Sequence, residues 1–557
     1  MNFIVQIIYQ LNTLITPFPS FPGQVSARFA RPTPAPAWSG VYEATRYQFA
    51  CVQHRYPIEA TVNRHRGLST GSSAEDCLYL NLFAPEPETG NFNRSSRAVM
   101  VFFYGGSFEG GTIFDSVYDG RVLATEGEEG GVLVVTVNYR LSAFGFLYGG
   151  TEEAPGNGGL YDQLLALRWL QDNLPAFGGD PRRVTIFGQS AGSMSASALI
   201  LSPLAKGLFS RAILQSGVVS SYFGANSAKV ALEKALTLAE KVGCLAAGSL
   251  NSSSHLPHSL IVCLQEKSAQ EILKHGSGGM MNGESFVPTF GTELLPISPV
   301  EALKAGKFNH LDGGLVYGVT RDEGVGFLAQ IFPVFKGEHS ENDHPLTVQS
   351  AHTLVKLLFQ MVGERRTEEV ADFYTKHLSN ATSQEVLRRT VAQAFADYHI
   401  VCPTVLFGEA VAAAKTLPSS SSSAEGRHQH NFYSYRVMLP TSVGLMGCKG
   451  EVVCHGEDLI YVFAIAQQLR GVVFSEEEYR LSRDMVRLWT SFVSTGTPGA
   501  VGANGTMEWA RAVSSVGSPS SPPKYTRHLA LDPRRYQMID DYYREVCNGF
   551  WKPRMFG

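Results

Sequence analysis

The chain has 557 residues, 44% of them hydrophobic and 17% charged, with a formal net charge of −4. This is the balance of a globular protein with a sizeable core. The slight acidity leaves no basic footprint, which argues against nucleic acid as a partner, and the absence of any run of 18 apolar residues argues against an integral membrane span.

Residues 1–27 are atypical. Met1 to Ser20 is apolar in part, but it has no Lys or Arg before Arg28, and Gln6, Gln10 and Asn12 interrupt it. It reads as a poor leader peptide or a misassigned start. Residues 28–557 read as one domain despite their length, because the chemical motifs are spread over nearly all of them. Ala98–Tyr104 and Val132–Tyr139 are predicted buried strands. Gly159–Asn173 has Leu160, Leu164, Leu167 and Leu170 at helical spacing. Val184–Phe187 is a short apolar run followed by small residues and a second helix-like stretch, and Leu315–Val319 is a further strand that leads to Glu323. Strands alternating with longer helical patterns predict an α/β fold with a mostly parallel sheet flanked by helices. Ser419–Ser423 and Ser514–Pro523 are low in complexity and read as surface loops.

The eight cysteines, Cys51, Cys77, Cys244, Cys263, Cys402, Cys448, Cys454 and Cys547, lack the short paired spacings of a zinc site. Their even number suggests oxidised pairs and a secretory route. N-x-S/T sequons at Asn93, Asn251, Asn380 and Asn504 lend mild support.

The pattern G-x-S-x-G occurs twice, around Ser69 and around Ser190. A nucleophile elbow needs a strand entering, a helix leaving and small flanking residues. Ser190 has VTIF before it and SMSASALIL after it, whereas Ser69 lies between NRHR and SSAED in a polar loop. Ser190 is therefore the candidate nucleophile and Ser69 the decoy. A serine also needs donors for the oxyanion formed on attack. Gly106 and Ser107, in the YGGSF turn after a predicted strand, can supply two amides, and Ala191 beside the nucleophile a third; a plain strand-ending turn is the alternative reading of YGGSF.

A series of motifs in order resembles the type-B carboxylesterase and cholinesterase family. They are RFARPTPAPAWSG from Arg28, EDCLYLN from Glu75, VFFYGGSFEGG from Val101, VNYRLSAFGFL from Val137, the long block from Gly156 through GQSAG, LFSRAILQSG from Leu208, GVTRDEG from Gly318 and HGEDLIYVF from His455. The resemblance implies the α/β-hydrolase fold with large insertions. It assigns Glu323 as the acid and His455 as the base, in the chain order Ser, Glu, His that this fold uses. Asp322 competes with Glu323, and a histidine capping a surface turn is the bland reading of His455. The resemblance also implies ion pairs Arg28–Glu75 and Arg140–Asp162 and disulfides Cys51–Cys77, Cys244–Cys263 and Cys402–Cys547. Cys448 and Cys454 remain, either as a fourth bridge beside His455 or as a buried pair of free thiols.

Several departures matter. The family's opening strand pair is missing or replaced by FPSFPGQVSARF. Ser107 stands for a glycine of the oxyanion loop, and Gln189 for the glutamate common before the nucleophile. The Cys51–Cys77 loop holds no tryptophan, the best partner for a quaternary ammonium, so uncharged esters rather than choline esters are the expected substrates. Gln189 and Phe286 are candidate pocket residues, Phe286 with an ordinary core position as its alternative. The expected activity is ester hydrolysis through an acyl-enzyme, with a small-molecule ester as partner and with neither metal nor organic cofactor. A lipase or sterol esterase with the same triad, and a silent neuroligin-like adhesion protein, are the competing readings.

Overall fold

The structure is a computed structural model. It describes the backbone of residues 4–10 and most of the chain from 28 onward, except 36–38, 41–43, 45–47, 55–72, 86–95, 127–130, 247, 249–253, 279–282, 336–344, 415–430, 445, 447, 449, 503–506 and 513–525. Ser69 and both low-complexity segments lie outside the described residues.

Ten strands form the central sheet: β1 (Ile4–Gln10), β2 (Tyr79–Pro85), β3 (Arg97–Phe103), β4 (Leu133–Val137), β5 (Gly179–Gln189), β6 (Arg211–Gln215), β7 (Gly314–Thr320), β8 (Phe432–Val437), β9 (Arg527–Leu531) and β10 (Gln537–Asp540). Their spatial order is β1-β2-β4-β3-β5-β6-β7-β8-β9-β10. From β4 across to β9 every pairing is parallel. The two edges are antiparallel. This is the α/β-hydrolase architecture expected from the alternating pattern. After Arg97, β3 reads like β4 as a mainly apolar run because helices cover both faces of a parallel sheet and bury these side chains. β5 is longer than the apolar Val184–Phe187 because Gly179 pairs with Arg97 of β3 ahead of an irregularity, and the polar Asp180–Arg183 lie within that irregularity. At the N-terminal edge, where the family's strand pair had no counterpart in the motifs, Ile4–Gln10 pairs antiparallel with β2.

Helices α1 (Gly158–Asn173) and α2 (Ala191–Leu201) follow the first half of the sheet. Beyond β7 come α3 (Val325–Ile331), α4 (Gln384–Ala396) and α5 (Cys402–Ala414), with a π-helical turn, Asp397–Val401, joining α4 to α5. These later helices enclose a second apolar cluster, centred on Phe359, Phe395 and Trp551 and separate from the core on the sheet. None of the described helices is long and apolar enough to cross a membrane.

Two buried ion pairs tie distant segments of the chain together. Arg140 grips Asp162 in a fork, Nε to Oδ2 at 2.8 Å and Nη2 to Oδ1 at 2.6 Å, and Asp162 Oδ2 also accepts the Arg140 N–H at 2.9 Å. Arg28 pairs with Glu75. A buried carboxylate whose oxygens are all engaged is tolerable, whereas removing the arginine alone would strand it. Four disulfides are formed: Cys51–Cys77, Cys244–Cys263, Cys402–Cys547 and Cys448–Cys454. Among the described residues no cysteine is free.

The parallel strands end in register, and this places the site. Gln189 at the end of β5 lies opposite Gln215 of β6, and Gln215 lies opposite Gly318 of β7. The loops leaving β3, β5 and β7 therefore meet at one end of the sheet, where ligands bind in open α/β folds.

Candidate active site

Ser190 sits between β5 and α2 with φ 55° and ψ −125°, a conformation that non-glycine residues rarely adopt. Such strain costs roughly 1–3 kcal/mol and persists only where the surroundings enforce it. Here the turn is enforced by packing: a β-carbon on Gly192 would collide with the Phe103 carbonyl, and one on Gly188 would collide with the backbone of Gly192. The Ser190 N–H donates to the Gln215 carbonyl at 2.9 Å. The hydroxyl is thereby turned toward a cleft, and it makes no hydrogen bond to a described residue.

The loop after β3 runs past the same point. Gly106 has φ 121° and Ser107 φ 61°, and both line the cleft beside Ser190. The N–H groups of Gly106, Ser107 and Ala191 donate to no described acceptor. Gly105 approaches so closely that a β-carbon there would stand 2.9 Å from Ser190 Cβ.

His455 and Glu323 arrive from two other loops. Glu323 is fully buried; its Oε2 lies 2.6 Å from His455 Nδ1, and its Oε1 accepts the Thr320 N–H at 2.6 Å. Asp322 points elsewhere, accepting from the Val453 N–H and from Arg321 Nε at 2.8 Å each. Of the two neighbouring acids, only Glu323 meets the imidazole. Gln189 reaches the opposite side of the ring, with Nε2 3.1 Å from His455 Nε2. The Cys448–Cys454 bridge ends one residue before His455, and Cys448 Sγ packs near Gly326 of α3.

Ser190, His455, Gln189, Gly106 and Ser107 line one cleft that opens to solvent, together with Thr112, Asp115, Tyr118, Phe327 and Met446. A smaller cavity lies on the other side of Ser190 and His455, walled by Met194, Ser216, Phe223, Phe327, Phe395, His399 and Ile400. Phe286 lines neither. It is buried in the core on the sheet, so the aromatic wall comes from Phe223, Phe327 and Phe395, which the motifs did not single out.

A second buried acid lies close to Glu323 and His455. Asp458, three residues after His455, accepts from Gln215 Nε2 at 2.7 Å and from the Tyr435 hydroxyl at 3.2 Å. Burial, with the Glu323 charge adding to it, pushes its carboxyl up to about 6 against the opposing pull of those hydrogen bonds and of His455. It lay within the HGEDLIYVF motif, but nothing in the motif distinguished it from Glu457.

The arrangement can support acyl transfer: a hydroxyl on a strained turn, three amides beside it that donate to no described acceptor, and an imidazole held by a buried carboxylate. The fold and these features define an α/β hydrolase. Residues 17–549 match the Carboxylesterase family, to which this chain belongs. A cholinesterase of Mus musculus is 33% identical over 496 residues, covering 86% of this chain and 75% of that protein. This membership supports ester hydrolysis as the activity.

Proposed function

We propose that this protein is a serine carboxylic-ester hydrolase acting on uncharged esters through an acyl-enzyme. Ser190 Oγ attacks the ester carbonyl carbon while His455 Nε2 takes its proton. The carbonyl oxygen, now negative, accepts from the amides of Gly106, Ser107 and Ala191. Collapse of the tetrahedral adduct expels the alcohol, which takes the proton from His455, and water then repeats the sequence to release the acid. Glu323 keeps the Nδ1 proton in place and offsets the charge that the imidazole gains. The observation that carries this reading is the convergence of Ser190, in its strained turn, with His455 on one cleft, while Glu323 takes the other ring nitrogen at 2.6 Å.

The preference for uncharged esters is supported by the absence of tryptophan from the Cys51–Cys77 loop and from the described residues lining both cavities. A secretory route is supported by the four disulfides and by the exposed sequon at Asn380.

The test is a chain-length series of p-nitrophenyl esters, with and without micelles, alongside acetylthiocholine and its neutral isostere. Hydrolysis of soluble short esters, with less than about a tenfold advantage for the cation, is the expected result. Turnover only at a micelle surface would favour a lipase or sterol esterase, and no turnover at all would favour an interaction protein.

A further inference from the structure

His399 lies in the π-helical turn between α4 and α5, an element that often marks a functional position. Its ring is held in an aromatic cage. Phe223 stacks on it with centroids 4.3 Å apart and planes 11° from parallel, and Phe395 stands 4.4 Å away on a tilt. The side chain is almost wholly buried, and its Nδ1 makes no hydrogen bond to a described residue. A phenylalanine would satisfy such a cage without bringing an unpaired polar atom into it.

The ring also walls the smaller cavity, which Ser190 and His455 share. Ser216, another wall residue, has a buried hydroxyl that is likewise without a partner among the described residues. Two unpaired polar side chains thus border a cavity, otherwise largely aromatic and aliphatic, that abuts the nucleophile. The free space there suits about one water-sized group. Burial holds the imidazole of His399 neutral, its titration lowered to about 3, so the ring offers one donor and one acceptor. A hydroxyl group can pair with either nitrogen, whichever tautomer is present; a methyl group can pair with neither.

We propose that this cavity receives the hydroxyl group of a short hydroxy-acyl chain whose carbonyl sits at Ser190, with His399 as its hydrogen-bond partner and specificity-determining residue. The inference rests on the hydrolase reading of Ser190 and narrows it to esters of small hydroxy acids.

The experiment compares phenyl propionate with phenyl 2-hydroxypropionate and phenyl 3-hydroxypropionate, each rate normalised to its alkaline hydrolysis. The wild-type enzyme is expected to favour at least one hydroxy ester over propionate by about tenfold or more in kcat/KM, the differential of one well-placed hydrogen bond. His399→Phe should bring that ratio close to one, whatever its effect on the propionate rate itself. A wild-type ratio of one or below for both hydroxy esters overturns the subsite, and so does a preference that survives His399→Phe. The wild-type ratio decides the matter even where the variant folds poorly. Failure to hydrolyse any of the three, propionate included, overturns the hydrolase reading itself, and the subsite with it.

Discussion

The side chains of Gln189 and His455 meet at the nitrogen on which the proposed chemistry depends, Gln189 Nε2 standing 3.1 Å from His455 Nε2. Glu323 takes the Nδ1 side, so Nε2 carries the lone pair and the amide donates into it. On the proposed mechanism the base is held but engaged, and the amide must yield before Ser190 can use it. Gln189→Glu would place a carboxylate beside the ring and favour the imidazolium. The acid limb of the pH profile of kcat/KM is then expected to move up by about one unit. An unmoved limb, measured between pH 5 and 9, would show that this contact does not govern the base.

The two adjacent acids should behave differently. Glu323→Gln removes the carboxylate that holds His455 and is expected to lower kcat by about 10³–10⁴. Asp322→Asn loses the charge paired with Arg321 and weakens the contact to the Val453 N–H, and is expected to cost less than about tenfold in kcat, with its main effect on thermal stability. Equal losses of activity from both changes would contradict the assignment of Glu323.

Stability should fall on the acid side. Burial depresses both His399 and His528 to about 3, whereas an unfolded histidine titrates near 6.5. Between those values the unfolded chain binds more protons, so stability drops as pH falls from about 6.5 toward 3, by at most about 1.4 kcal/mol per unit for each histidine. Asp458 and Asp397 act in the opposite sense. Burial raises them to about 6 and about 7, so the folded state keeps protons that unfolded carboxyls lose near 4, and stability falls as pH rises through that window. His399→Phe isolates one contribution: its melting temperature should gain on the wild type as pH is lowered from 8 to 5. A constant difference across that range would contradict a neutral buried His399.

The Cys448–Cys454 bridge spans only six positions, so it removes little entropy from the unfolded chain. It lies beside His455 and packs near α3, which carries Phe327. Replacing both cysteines by serine is expected to lower kcat/KM by about tenfold or more while shifting the melting temperature by only a few degrees. A large fall in melting temperature with activity intact at low temperature would make the bridge a global staple instead.

What the sequence made legible was local. Strand β3 is a run of apolar residues, and the turn at Ser190 is announced by small residues between a strand and a helix, because each signal lies within one short window. Glu323 and Asp322 could be told apart only by motif register, since both are acids at the end of one strand, and both face one loop, where Asp322 meets the Val453 N–H and Glu323 meets the His455 ring. The Gln189–His455 contact joins residues 266 positions apart, and no periodicity carries that. The aromatic wall was misread for a related reason. Phe286 is indistinguishable by type from Phe223, Phe327 and Phe395, and only the packing of α3, α4 and the π-helical turn around Ser190 decides which of them face the cavity.

The most direct measurement is covalent labelling of the nucleophile. A phosphonyl fluoride, which transfers its phosphorus to an activated serine with loss of fluoride, is reacted with the wild-type protein and with Ser190→Ala, and each is read by intact mass and peptide mapping beside its esterase rate. The expected result is one adduct per chain, located on Ser190, with activity lost in parallel. Ser190→Ala should give no adduct and a kcat at least about 10³ lower, at an unchanged melting temperature. A stoichiometric adduct on another residue, or Ser190→Ala retaining more than about a tenth of the wild-type rate, would contradict Ser190 as the nucleophile.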